Sequence, residues 1–450
     1  MSNLIRNSFV GLFVLFMFPI ISQGQTLHIS GEVRPRAEYR HGYKSLADSA
    51  QKPAFYIDQR TRLTIGFDYK MIETKLVIQD VRTWGSQPQL VVADGNMTSI
   101  HEAWGRVYFH KNFSMKLGRQ EISYDDHRIF GNVGWAQQAR SHDAIVLMYQ
   151  DSLMQIHGGF AYNQNAPSLK GTIYTVPKSY KTFQYLWAHR KFGPLSASLL
   201  FLNNGKQVVD INNNVYLDSA GYGRTHFTQT IGARLSFKKA GLTANLAGYY
   251  QGGREADTLN TLGTLVSAYY LGADVKYTLA KKYTIGIGAE LLSGNNTVVD
   301  SSNNNPINTN NAFNPLYGTN HKFNGFMDYF YVGNHIANVG LVDLFLTFKA
   351  KIGKGFVGLH GHFFLSNGLL ADPSDQTQAV LPYLGTELDF FGGYKINKWT
   401  AVKLGYSQLF GSPSMVALKG GNIRATSNWA WLMITINPSA TISLKKKQDL

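Results

Sequence analysis

The stretch HISGEVRPRAEYRHG, residues 28–42, puts Glu32, Arg34, Arg36, Glu38 and Arg40 at every second position, with Ile29, Val33, Ala37 and Tyr39 on the alternate ones. Successive side chains of a strand point to opposite faces, so this segment has one charged face and one apolar face. A water-soluble sandwich turns the charged face outward and buries the apolar one. A membrane barrel reverses this, with lipid outside and water in the lumen.

Strand-length segments continue from residue 26 to 437 without sustained helical periodicity. Eighteen are read, among them 113–123, 264–279 and 427–437. The connections alternate: MIE, KN, DSLM, GP, KAG, AKK, GK and KWT are short, whereas 41–55, 85–98, 124–140, 164–179, 208–223 and 296–337 are long. Greek-key crossovers give no reason for such alternation; tight periplasmic turns and long extracellular loops do. The charged face of the opening stretch is therefore wet because it lines a lumen. Asp58, Arg60, Arg62 and Asp68 repeat the pattern opposite Leu63, Ile65 and Phe67, and Asp343, Thr347, Lys349 and Lys351 repeat it opposite Leu344, Leu346 and Phe348. The fold class expected is all-β: a transmembrane antiparallel β-barrel of about 18 strands, 16 being the smallest count these segments allow. Pro35, on the lipid face, is expected to mark a bulge or strand end.

Residues 1–24 combine a basic start at Arg6, an apolar run from Phe9 to Ile21 and small residues around Gln23. They read as a secretory signal peptide cleaved after Gly24, since the run is shorter than the roughly 20 residues of a membrane-spanning helix. The domain division is then 1–24 signal peptide, 25–437 barrel and 438–450 polar tail. The chain has no cysteine, which excludes disulfides, thiolate metal sites and a cysteine nucleophile. Its net charge of +15 points to an anionic partner, and export argues against nucleic acid.

VRPRAEYR, QRTRLTI, IQDVRTWG, HEAWGRVYF and above all LGRQEISYDDHRIFGNVGWAQQARSHDA, followed by FNPLYGTNHKFNGFMD and GLVDLFLTFK, together resemble the alginate-export family of bacterial outer-membrane channels in its Bacteroidetes form. The resemblance implies an eighteen-stranded outer-membrane barrel whose arginine-rich constriction passes an anionic polyuronate. It makes Arg34, Arg36, Arg60, Arg62, Arg82, Arg106, Arg119 and Arg140 pore-lining positions, with Asp80, Glu102 and Asp143 as partnering acids. Parity along the strands adds Lys349 to the cations and Glu32, Glu38 and Asp58 to the acids. Two departures stand out. NWAWLMITINP is followed by SATISLKKKQDL rather than ending on an aromatic strand residue, and Arg119 shares parity with Met115 and Leu117, so a bulge near Gly118 is expected to turn it inward.

Asp125, Asp126, His127 and Arg128 invite an acid/base reading, but no nucleophile or orienting partner accompanies them. They read as a polar loop turned toward the pore and pinned by Trp135, with His321 and Asp328 in a second long loop that forms a lid. Asp and Asn oxygens of that loop suit calcium but lack ligand spacing. His360 and His362 share a face, yet no further ligand is evident. No cofactor and no metal is expected. The function expected is a passive, non-enzymatic channel for an anionic polysaccharide, with outer-membrane lipid and the barrel-assembly machinery as partners. An anion-selective uptake porin and an outer-membrane hydrolase are the alternatives.

Overall fold

The computed structural model describes residues 25–444, apart from 91–96, 177–178, 211, 213, 220, 259–261, 300–308, 331–332 and 336–337. The signal-peptide segment and residues 445–450 lie outside the described residues. Eighteen antiparallel strands close into a barrel. They are β1 (Gln25–His41), β2 (Ala54–Tyr69), β3 (Ile72–Thr83), β4 (Thr98–His110), β5 (Phe113–Gln120), β6 (His142–Gln150), β7 (Met154–Tyr162), β8 (Thr182–Phe192) and β9 (Leu195–Gln207). The remainder are β10 (Thr225–Lys239), β11 (Leu242–Glu255), β12 (Ala268–Leu279), β13 (Tyr283–Leu292), β14 (Leu341–Ile352), β15 (Gly355–Leu365), β16 (Tyr383–Lys395), β17 (Thr400–Gly411) and β18, which starts as Ser427–Ile436. Each strand pairs with its chain neighbours, and β1 pairs with β18 to close the wall. Closure leaves no exposed sheet edge, the condition for crossing a bilayer with strands.

Alternation along the wall decides which face is which. Ile29, Val33 and Tyr39 are exposed while Arg34, Arg36 and Glu38 on the same strand are buried. Leu63, Ile65, Ile145, Leu147, Leu344 and Leu346 continue the exposed apolar belt around the outside. This is the inversion that a lipid-facing exterior demands.

Several local details differ from the sequence expectation. The tail expected from 438 is wall: Ser439–Leu444 pairs with Gln25–Ser30 in the same register that Ile436 keeps with Val33. Pro438, which has no N–H to donate, interrupts the strand opposite Gly31 without shifting it. Pro35 does not bulge either. It pairs with Gln59 in an unbroken β1–β2 ladder, and only the β18 side skips from Val33 to Arg36. Thr264–Val266, expected as part of the next strand, instead joins Arg254 and Glu255 and runs parallel to Thr309–Asn310. One α-helix occurs among the described residues, α1 (Pro413–Lys419), where the Ser412 side chain accepts from Met415 N and Pro413 occupies the first turn.

Candidate functional site

Two long loop segments, 121–141 and 311–330, fold into the lumen and meet there. A parallel bridge joins Phe130 to Tyr317, Gly131 N donates to Tyr317 O at 2.9 Å, and Thr319 N donates to His127 O at 2.9 Å. The Thr319 hydroxyl accepts from Val133 N, and Arg140 Nη1 donates to Gly318 O. Contact is so close at Gly318 that a Cβ there would lie 2.2 Å from Arg128 O. Asp125, His127, Val133, Ala139, Leu316, Asn324 and Asp328 all have positive φ. That conformation is unfavourable for non-glycine residues, most of all for β-branched Val133, so the surrounding contacts must hold these loops in place.

The wall supplies those contacts. Arg34 Nη1 donates to Gly134 O at 2.8 Å, its Nη2 donates to Gln137 Oε1 at 2.8 Å, and weaker bonds reach Trp135 O and Ala136 O. Arg36 donates to Trp135 O at 2.7 Å and lies 4.4 Å over the Trp135 ring. Arg60 pairs with Glu32 at 2.6 Å and reaches Gln137 O at 3.3 Å. Glu38, fully buried, accepts from Arg36, Arg40 and the Trp429 indole. Elsewhere Arg128 pairs with Glu290 of the wall and with Asn324 of the second loop, and Met327 N donates to Glu387 at 2.8 Å. Trp135 stacks on His321 and meets Trp429 and Trp431 edge-on, while Phe130 packs with Tyr317, Phe183 and Tyr185.

Electrostatics within the loops follow from these partners. Burial pushes the Asp125 carboxyl up, although Ser198 and the Trp187 indole favour its charged form. Burial also opposes ionisation of Asp126, but Arg234 at 3.0 Å and Arg128 hold its carboxyl below the usual range. Burial likewise opposes the Asp328 charge, and His321 at 2.8 Å with the Tyr43 hydroxyl more than offsets it, so that carboxyl too is held low. His127 is pushed down by burial and by the Lys322 ammonium.

The pore residues expected from sequence divide into three groups. Arg34, Arg36, Arg60, Arg62, Arg106, Lys349, Glu32, Glu38, Asp58 and Glu102 lie on the inward face, as their pairings show. Arg82 and Asp80 do not: they sit opposite Gln59 and Thr61, on the parity of Leu63 and Ile65, and pair with each other at 2.6 Å. Arg119 and Asp143 are also on the outer parity, shared with Leu117, Ile145 and Leu147, and pair at 3.0 Å. The bulge expected at Gly118 lies instead on β4, where the register skips His101 and both His101 and Glu102 are buried. Arg119 therefore stays outside, near the loop end of its strand, and only Glu121, beyond the strand, turns in to His101. Arg140 belongs to the constriction loop. Lys75, Lys116, Lys276 and Lys403 are inward-facing cations that the sequence reading passed over, although strand parity identifies them: Lys75 lies opposite Trp104, and Lys116 opposite Arg106.

With the loops seated, the lumen is divided. A cavity of about 510 Å³ on the loop side is bordered by Arg36, Arg40, Lys44, Trp135, His321 and Asp328, and Arg82 borders its rim. One of about 210 Å³ lies between loop and wall beside Arg234, Lys276, Lys322, Phe326, His360 and His362. A third, of about 650 Å³, is bordered by Arg140, Tyr180, Lys206 and Tyr317 and reaches the rim of the wall, where Arg119 and Asp143 border it.

The family described as alginate export matches residues 25–411. No curated protein matches the chain. Among solved structures, OccAB4 of Acinetobacter baumannii superposes with a TM-score of 0.60 at 10% identity, covering 94% of this chain and 100% of that one. OccK9 (OpdG) of Pseudomonas aeruginosa gives 0.60 at 13% identity, covering 92% and 98%. OccK1 (OpdK) of the same organism gives 0.57 at 8%, covering 92% and 99%. At these identities the likeness is one of fold. The family match extends over most of the described wall and both inward loops, and the chain belongs to the alginate-export family of outer-membrane β-barrel channels.

Proposed function

We propose that this barrel is a passive channel for an anionic oligo- or polysaccharide, a uronate polymer such as alginate. The observation that carries the reading is a row of inward cations left in contact with the lumen once the loops are seated: Arg62, Lys75, Arg106, Lys116, Lys276, Lys349 and Lys403, none of them fully buried. Interspersed acids temper them. Glu102 pairs with Lys75, Asp274 with Lys276 at 3.3 Å, and Glu73 approaches Arg106 at 3.7 Å. Positive rings favour anions, while neighbouring acids keep binding weak enough for release. Arg62, held by Gln79 Oε1, and Arg106, held by Ser114 Oγ, keep further N–H donors for carboxylates, and the lysines act as point charges.

This shifts the substrate-guiding role away from Arg34, Arg36 and Arg60, whose donors are taken by the loop and by Glu32 and Glu38. A polymer would pass when the inward loops swing from the wall. A second reading, a channel for small organic anions, draws on the seated state, whose 210 and 510 Å³ cavities suit a small solute rather than a chain. Planar-bilayer recording separates the two. For the polymer channel, oligouronates block at low concentration and K75Q/K349Q/K403Q weakens both block and anion selectivity. Equal block by monomeric and oligomeric uronate would favour the small-anion reading, and unchanged selectivity in the assembled triple variant would refute the role of the lysines.

A further inference from the structure

Beneath the Gly325–Met327 segment of the inward loop, four side chains form a block on adjacent strands. His360 lies directly opposite Asp389, and His362 directly opposite Glu387. Donor atoms of His360, His362 and Asp389 all fall within 4.8 Å of one another. Glu387 and Asp389 are fully buried and interact with each other, and beyond that mutual contact neither Glu387 Oε2 nor Asp389 Oδ2 receives a donor from the protein. The other oxygens are taken, by Met327 N and by the Ser407 hydroxyl at 2.5 Å. A buried carboxylate oxygen without a donor is costly and calls for an explanation.

Charge points the same way. Glu290, Asp343, Glu387 and Asp389 are all buried, and the one buried guanidinium beside them, Arg128, is committed to Glu290. The orientation of His362 is fixed: its Nδ1 faces Asp343 at 3.0 Å, which leaves Nε2 turned toward Asp389 Oδ2 at 3.8 Å. A carboxylate on one imidazole nitrogen with the other nitrogen free is the arrangement that orients metal-binding histidines.

We propose that His360, His362 and Asp389 bind a divalent transition ion of the zinc class, with Asp343 positioning His362 and Glu387 as a neighbouring carboxylate. Two imidazoles and a carboxylate suit such an ion better than calcium or magnesium, which prefer all-oxygen shells. The donors need to draw together, since a tetrahedral site with bonds of about 2.0 Å has edges of about 3.3 Å. His360 is the side chain free to do so, being only half-buried and bordering the 210 Å³ cavity through which an ion enters. Because Met327 N bonds to Glu387 beside the block, the ion would sit at the joint between wall and constriction loop.

The test is titration of the full-length mature barrel in detergent, without a histidine tag, using Zn²⁺ for stoichiometry and Co²⁺ for visible absorption. Expected are one tight Zn²⁺ per barrel and the strong visible bands of four-coordinate Co²⁺. H360Q or D389N should weaken binding at least tenfold, and D343N about tenfold through His362. Heat-modifiable gel mobility reports whether each variant remains a folded barrel. Absence of stoichiometric binding to the wild type would overturn the proposal, as would unchanged affinity in folded H360Q and D389N; if both variants fail to fold, the Co²⁺ spectrum of the wild type decides, and bands typical of six-coordinate oxygen ligation overturn it.

Discussion

Replacing Arg34 by Gln should open the channel rather than weaken its preference for anions. Arg34 is 7% exposed and directs its donors at loop residues 134–137. A hydrogen bond from a charged donor contributes about 1.5 to 3 kcal/mol net. Counting only the two bonds at 2.8 Å, at the lower figure, the loop loses about 3 kcal/mol of seating energy. That corresponds to about a hundredfold shift toward the unseated loop. Arg34→Lys keeps the charge but not the fork, so it should fall between wild type and Arg34→Gln. Single-channel recording should show R34Q with more frequent high-conductance states, and proteolysis of intact cells should cut within 121–141. Because these bonds are buried, raising salt should not reproduce the effect in wild type, unlike the response of exposed lumen charges. An R34Q barrel with wild-type conductance and a protected loop would refute the anchoring role.

Arg128→Met should destabilise the loop-to-wall joint by about 3 to 5 kcal/mol by leaving Glu290 buried without its cation, and thermal unfolding in detergent should show R128M/E290Q recovering part of that loss. Gly318→Ala should unseat both loops together, since its methyl would meet Arg128 O at 2.2 Å; protease sensitivity at 121–141 and 311–330 should rise in parallel. Acid should loosen the lid. With its carboxyl held below the usual carboxylate range, Asp328 contributes seating energy that is complete above about pH 4 and is lost as pH falls through its lowered value, so conductance should rise on the acid side. Asp328→Asn should abolish that limb, with conductance already elevated at neutral pH.

Much of the wall was legible because its physical rule is simple. Where lipid lies outside, every lipid-facing side chain must be apolar, so Ile29, Val33, Leu63 and Ile65 report the face on their own. The rule lapses at the rim, where the outer surface meets headgroups and water. There Asp80, Arg82, Arg119 and Asp143 sit on the outer parity as ion pairs, contrary to the inward positions that the resemblance implied for them. The β4 bulge was invisible for another reason: two adjacent inward residues, His101 and Glu102, look like ordinary alternation unless the partner register is known. The expected tail from 438 erred in the opposite sense: Pro438 cannot donate, yet it occupies one position in a wall that continues. The inward turn of 121–141 was signalled by its polar and aromatic content, but not which wall residues it would engage, because those contacts join positions about a hundred residues apart.

Those contacts explain why arginines stand where they do on β1 and β2. A loop folded into the lumen has left the ladder, so its carbonyls need donors that no neighbouring strand supplies. Water could serve them, but Arg128 and Phe130 are almost fully buried and Gln137 is only 3% exposed, so much of the constriction is dry. A guanidinium offers five donors, no acceptor and a permanent charge, and can satisfy several adjacent carbonyls at once. Arg34 does this for residues 134–136, and Arg36 binds Trp135 O while its charge is balanced by Glu38. The same arginines that suggested an anion path thus act as the missing strand for the loop that narrows it, which is why the proposed solute contacts fall to the inward lysines instead.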